Sequence, residues 1–385
     1  MSSKAKHHNQ IARQLLDDFL NRTGITGQGG NPGRRYLWTD AFAVHCCFAL
    51  ARSEKDENYL QHGLHLIDAV HNTLGKHRTD DSRTGWISGL PEEEGEKHPT
   101  TGGLRIGKKL PEKAAGTYLN PYKEMECDGQ YFHYLTRWFS ALTGAYHQTG
   151  EEKYAFWAAE LIKVTEKFVN KEGETVRLFW KMKTDLSEPS VKSMGMHDPL
   201  EGLICTLSIK EFAKKKEISL EELEEDLQKI CKDMSWFTTD ALGIGGLLLN
   251  TVKAGMMAQN GQTLPKNIQP GKLLADSMAG LQAYLGNSPG PLHPAETRLP
   301  FRECGLSLGI RTITGMQNDL DLPDLDIRPL ENFSGLAEDL ENFWLVSQHR
   351  QAQTWKNHRD INAVSLAASL LAQKQPRAFC PKTIK

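Results

Sequence analysis

The 385-residue sequence contains no Cys-x-x-Cys pair, no His-x-x-x-His pair and no Asp-Asp-x-x-Asp run. The first two absences leave no recognisable zinc-ligand spacing, and the third removes the diphosphate motif of terpenoid-cyclase-type toroids. Neither a metal nor another cofactor is therefore expected. The seven cysteines stand singly or adjacent at 46, 47, 127, 205, 231, 304 and 380, several in apolar helical contexts. An odd, scattered set of this kind reads as buried free thiols in a reducing compartment, and a cytoplasmic location is expected. It also gives no help to a lanthionine-cyclase-type site, which needs Cys and His zinc ligands. No apolar run reaches the ~20 residues of a membrane span. The first ten residues are polar and basic, without the apolar core of a secretory leader. The net charge of −2 carries no excess of Lys and Arg, which argues against nucleic acid as the main partner. The basic runs at 108–109 and 214–216 are too short to change this and read as solvated loops or helix ends. No low-complexity segment or linker interrupts the chain, so residues 1–385 are read as one domain.

Helical periodicity is what remains. The pattern predicts twelve helices, near 5–22, 39–53, 56–77, 128–149, 151–170, 198–216, 219–234, 239–258, 267–286, 303–318, 334–353 and 359–374. They alternate in character. In the fifth, Trp157, Leu161, Val164 and Phe168 form an apolar stripe, opposite Glu152, Lys153, Glu160, Lys163 and Lys167. The seventh opens on Ser219 and Glu222, a capping-box spacing. The even-numbered helices are nearly uncharged: 41–50, 241–251, 304–310 and 361–373 hold no Asp, Glu, Lys or Arg, and 131–146 holds only Arg137. A helix apolar on nearly every side must be buried on nearly every side. Six such helices wrapped by six amphipathic ones make an all-α (α/α)6 toroid of helical hairpins. Long connections at 77–127, 170–197 and 287–302 all lead into inner helices, so they gather at the inner-helix N-terminal end, where a functional face is expected. Residues 174–183 alternate enough to suggest a small β-hairpin there.

Each inner-helix start carries an acid: Asp40, Asp128, Asp198 with Glu201, Asp240, Glu303 and Asp360. A carboxylate at such a place caps the helix by accepting from its free N–H groups, and each acid taken alone fits that role. Taken as a set in a ring, they would converge on one cavity, where mutual repulsion separates pKa values into an acid and a base, as glycoside chemistry requires. Asp40, Asp128 and the His197, Asp198, Glu201 cluster are the catalytic candidates. Trp38, Tyr36, Trp86, Tyr131, Trp236 and Trp355 are the residues that could stack on sugar faces. Arg35, His133, His197, Arg302, His358 and Arg359 could hold hydroxyls or a carboxylate, and Gln130, Asp240 and Glu303 are further substrate-binding candidates.

With these features the chain resembles the six-hairpin glycosidase-like superfamily. That group includes unsaturated glucuronyl hydrolases, other toroidal glycoside hydrolases and N-acylglucosamine 2-epimerases. Trp38-Thr39-Asp40-Ala41-Phe42 is similar to the Trp-x-Asp-x-Leu/Phe helix start of the glucuronyl and rhamnogalacturonyl hydrolases, which implies a catalytic role for Asp40. The run from Met196 to Gly202 is similar to the Met-His-x-x-Glu-Ala run of the epimerases, with one residue inserted. His358 matches an epimerase histidine of the last inner helix, but the eighth helix begins Thr239-Asp240 and has no histidine, which tilts the resemblance toward hydrolysis. It implies a hydrolase acting on a small oligosaccharide, one containing uronic acid among the options. A sugar epimerase and a non-catalytic binding toroid stay as alternatives. A small-molecule carbohydrate is the expected partner; nucleic acid and membrane are not.

Overall fold

The computed structural model describes residues 3–27, 30–31, 33–113, 121–287, 293–323 and 325–385. Twelve helices of eleven residues or more are found among them: α1 (Ser3–Arg22), α2 (Leu37–Glu54), α3 (Glu57–Leu74), α4 (Phe132–Thr149), α5 (Glu152–Val164), α6 (Asp198–Lys215), α7 (Glu221–Cys231), α8 (Ala241–Gln259), α9 (Pro270–Asn287), α10 (Pro300–Gly315), α11 (Ser334–Leu345) and α12 (Arg359–Ala372). Each matches one predicted element, with ends moved by a few residues. The largest changes are at α5 and α11. The first tightens into a 3₁₀ turn at Thr165–Phe168, which still buries Phe168, and α11 stops before a separate 3₁₀ turn at His349–Gln351. The Ser219 capping box is not made: its hydroxyl turns to Glu221, and Leu220 holds the N-cap position.

The chain divides into two compact units, with boundaries inside α2 and α3. The first contains residues 1–22, 45–61 and 233–382. In it α8 lies against α10, and α10 against α12; α9 covers α8, α11 covers α10, and α1 packs on α12. Uncharged helices are thus neighbours of one another. Glycine permits the close approach of α8 and α10: a Cβ on Gly245 would stand 2.1 Å from the Gly305 carbonyl oxygen, and one on Gly309 2.5 Å from the Gly245 carbonyl oxygen. Buried polar groups on these helices are paired. Glu341 of α11 accepts from Arg311 (2.7 and 3.1 Å) and Ser307 (2.6 Å) of α10 and from Ser369 (2.7 Å) of α12. α8 is long and apolar enough to cross a membrane by length and composition, yet 72% of its most apolar window is buried in the fold. Burial in a core accounts for that composition.

The second unit contains residues 23–44, 62–232 and 383–385. α4 packs on α5 and α6, and α6 on α7. The long connections that precede α4 and α6 carry all the strands described: β1 (Gln130–Tyr131), β2 (Val169–Glu172), β3 (Thr175–Leu178), β4 (Lys181–Met182) and β5 (Pro189–Val191). β2 and β3 form an antiparallel hairpin, and β4 pairs with both β1 and β5. The expected hairpin is therefore present but begins earlier, and Lys181–Met182 joins the second sheet instead. Part of the Pro- and Gly-rich stretch expected before α10, residues 288–292, lies outside the described residues.

The glycine contact yields a paired test. Gly245→Ala should lower the unfolding free energy by about 1–3 kcal/mol, because backbone faces the new methyl. Gly286→Ala in α9, where the added Cβ meets nothing, should raise it by up to about 1 kcal/mol through helix propensity. Urea titrations of the two variants check both signs.

Candidate active site

The acids at the six inner-helix starts turn out to do different things. Asp240 is a true cap, its Oδ1 accepting from the Gly243 N–H at 2.8 Å. Asp40 sits inside the first turn of α2 and reaches back to accept from the Tyr36 N–H at 2.9 Å, with Arg35 Nη1 at 3.6 Å; both side chains are buried. Arg35 is held in turn by the Thr23 carbonyl at 2.7 Å. Asp128 precedes α4 in the loop and is also buried. Its Oδ2 accepts from Arg105 at 2.6 Å and Arg78 at 3.4 Å, its Oδ1 from the Gly107 and Lys108 N–H groups at 2.9 and 3.2 Å. Four donors on one carboxylate tie down the 105–108 loop. Gln130 does similar work, accepting from Leu104 N–H and donating to the Gly102 and Thr184 carbonyls. Trp86 and Trp236 are buried: the first lies under Gly95 with the Lys76 ammonium 4.5 Å from its centre, the second donates to the Asn267 carbonyl.

Asp198 and Glu201 are the pair with different surroundings. Asp198 is the first residue of α6 and Pro199 follows it, a position where proline's missing N–H is no loss. Its carboxyl lies against Gly195, where any Cβ would come within 2.5 Å of it. Its Oδ2 is buried and has no hydrogen-bond partner among the described residues. Burial first, and Glu201 second, push the Asp198 pKa up to about 8, so at neutral pH it is a carboxylic acid holding a proton. One turn along, Glu201 is an ion pair: Arg137 of α4 donates to Oε1 and the Thr136 hydroxyl to Oε2 at 3.0 Å. Arg137 was visible as the only charge in an uncharged helix, a residue that must find a partner when buried. Its guanidinium also lies 5.3 Å from the Trp38 ring centre.

Aromatic rings cluster beside Asp198. His133, Tyr131 and Trp180 form a mutual cluster, His133 lying 5.2 Å from Tyr131 and 5.9 Å from Trp180, which are 5.5 Å apart. Trp38 stands 6.0 Å from His133, edge-on. The Trp180 indole N–H donates to His133 Nδ1 at 3.1 Å, which leaves Nε2 carrying the hydrogen as a donor. Nδ1 is also 3.9 Å from Asp198 Oδ2. Burial and the Arg137 charge pull the His133 pKa down to about 3, so the ring is neutral. Tyr134 joins through Trp38 (5.4 Å) and through a 2.6 Å hydroxyl contact with Tyr36. Tyr36, His133, Trp180 and the N-cap residue His197 are half-buried, so the group reaches the surface. Trp180 and Tyr134 were not nominated from the sequence; a tryptophan in a β-rich loop carries no local signal of where it will point.

The remaining nominated residues lie in the first unit. Asp240, Arg302 and Glu303 line a cleft of about 670 Å³ together with Tyr284, His293 and Asp339. There Asp240 pairs with Arg302, while Glu303 is clasped by Arg298 at 2.8–3.1 Å and by the Trp344 indole at 2.7 Å. Trp355 and Arg359 line a second, smaller hollow. His358 is exposed, with Phe301 6.1 Å away. Among the described residues no three His, Cys, Asp or Glu side chains are grouped to hold a metal ion.

No family model matches the chain, and no curated protein matches its sequence. Among solved structures it is similar to the GH76A alpha-1,6-mannanase of Salegentibacter sp. HEL1_6, with a TM-score of 0.52 and 13% identity over 96% of this chain and 99% of that one. It is also similar to two inactive variants of that enzyme in which two consecutive aspartates are replaced. One, with asparagines, is in complex with alpha-1,6-mannotriose; the other, with alanines, is in complex with alpha-1,6-mannotetrose. Each has a TM-score of 0.51 and 12% identity, over the same shares of the two chains. At this identity the likeness shows the fold: the chain is an all-α protein of the (α/α)6 toroid class.

Asp198 gives a stability test with a definite sign. Its folded pKa lies above the ordinary value near 3.9, so the folded state holds more protons than the unfolded one between pH ~4 and ~8. Its contribution is favourable below that window and is lost as pH rises through it, with a slope approaching about 1.4 kcal/mol per pH unit. Asp198→Asn should therefore stabilise the protein relative to wild type, and the gain should grow from pH 5 to pH 8. Equal melting-temperature differences at both pH values would contradict a protonated Asp198.

Proposed function

We propose that the chain is a carbohydrate-active enzyme, a glycoside hydrolase acting on a small oligosaccharide, with Asp198 as general acid and Glu201 as the second carboxylate. The observation that carries this reading is the division of labour on one helical turn: a buried carboxyl that keeps its proton at neutral pH, and an arginine-paired carboxylate three residues on. Glycosidic cleavage needs such a pair, one to protonate the leaving oxygen and one to meet the developing positive charge or activate water. Asp198 delivers the proton; Arg137 and Thr136 orient Glu201; His133, with the hydrogen on Nε2, is suited to a sugar hydroxyl. Tyr36 and Trp180, both half-buried, offer ring faces for stacking. A ring with a pKa near 3 is a poor proton acceptor, so His133 does not serve as the base here.

Likeness to mannanases solved with mannooligosaccharides supports a neutral alpha-linked oligosaccharide as the first substrate to test, ahead of uronides. The proposed pair is spaced i, i+3 and not consecutive. Consecutive aspartates occur here only at 17–18 and 80–81, where Asp17 accepts from Tyr59 and Asp80 and Asp81 bind Arg78 and Arg83. We also propose that residues 1–385 act as one domain in a reducing, cytoplasmic setting, which the seven buried cysteines, none of them in a disulfide, support.

The test is hydrolysis of alpha-1,6-mannooligosaccharides, with unsaturated uronides as a second panel. Asp198→Asn and Glu201→Gln should each lower kcat by at least ~100-fold, and the wild-type rate should fall as pH rises past about 8, where Asp198 loses its proton. Because Asp198→Asn is expected to be the more stable protein, its loss of activity could not be assigned to unfolding. Full turnover in both variants would defeat the assignment.

A further inference from the structure

In the first unit, α1, the start of α12 and the turns between α11 and α12 enclose a hollow of about 320 Å³. Four cations line it, Arg22, Arg350, Lys356 and Arg359, against one acid, Asp18. Arg22 is already neutralised by Asp360 at 2.8 Å. The other three cations have no carboxylate partner among the described residues; Arg350 makes only a long 3.5 Å contact with the Leu345 carbonyl. Arg350 is also half-buried, and that burial disfavours its charge. Three unmatched cations beside one exposed acid leave an excess of two positive charges in a small concave space. Unpaired surface cations are common, but here three of them share one concave space with a tryptophan. One wall is apolar: Trp355 stacks on Trp344 at 5.8 Å, with the Arg350 guanidinium 5.9 Å from the Trp355 ring centre.

We propose that this hollow binds a phosphate monoester, its phosphoryl group held by Arg350, Lys356 and Arg359 and its organic body laid against the wall formed by Trp355. A phosphate monoester carries about −1.5 to −2 charges at neutral pH, which matches the excess, whereas a carboxylate supplies only one. The two guanidinium forks suit adjacent phosphoryl oxygens, and lysine adds a point charge. The volume of about 320 Å³ suits one sugar-sized group.

The experiment measures binding of inorganic phosphate, glucose 6-phosphate, glucuronate and glucose to the full chain at constant ionic strength, by calorimetry and melting-temperature shift. Glucose 6-phosphate should bind saturably and at least about tenfold more tightly than glucuronate, a difference of one factor of ten in Kd. Glucose should not bind. Lys356→Gln and Arg359→Gln, both at exposed positions that leave the core untouched, should each weaken the sugar phosphate about tenfold, and Asp18→Asn should tighten it. Glucuronate binding as tightly as the phosphate, no saturable phosphate binding, or affinity unchanged in both Gln variants would overturn the site. Inorganic phosphate binding as tightly as the ester would overturn the role given to Trp355.

Discussion

Burial of the uncharged helices is the constraint on which everything else rests. α8, α10 and α12 have no polar stripe to turn toward water, so each needs apolar neighbours on both flanks and an amphipathic helix outside it. The glycines of α8 and α10 show how far this goes, since at Gly245 the two backbones meet with no side chain between them. Once such helices are side by side, their starts and the loops leading into them are the parts left to differ. Those parts carry the polar chemistry.

Buried carboxyl groups inside this framework follow a common rule, with one departure among the described residues. Glu341 receives three partners, Asp128 four donors, and Glu201 a guanidinium and a hydroxyl. Each is a charge whose desolvation is offset by hydrogen bonds. Asp198 departs from the rule, with an oxygen that has no partner among the described residues, and its proton is kept several pH units beyond the ordinary carboxyl range. Stability would favour giving it a donor; a group poised to give up a proton requires the opposite.

The fold was legible because it is written in composition along the chain. Twelve predicted helices have twelve counterparts, since wet and dry stretches of a dozen residues are hard to mistake. The site was legible only in part. Sequence shows that Asp40, Asp128 and Asp198 adjoin helix starts, but their different fates depend on partners supplied from elsewhere. Arg105 and Arg78, which hold Asp128, lie 23 and 50 positions away, and Arg137 lies 64 positions from Glu201. Local propensity contains no term for such donors. Where the partner is close, as with Gly243 and Asp240, the expected cap formed. The shifted β-hairpin is a lesson of the same kind, for the pairing of Lys181–Met182 with β1 and β5 is a long-range choice.

The thiols have a use that no enzymatic hypothesis touches. All seven cysteines are buried, and they are spread over α2, the loop before α4, α6, α7, α10 and the C-terminal segment. Burial alone lifts Cys231 to about 12, which leaves almost no thiolate to react at neutral pH. A thiol-specific reagent added to the native protein would therefore be consumed only as each region opens. The seven labelling rates, read by mass spectrometry, would form a built-in clock of local unfolding across the molecule, with no probe engineered into it.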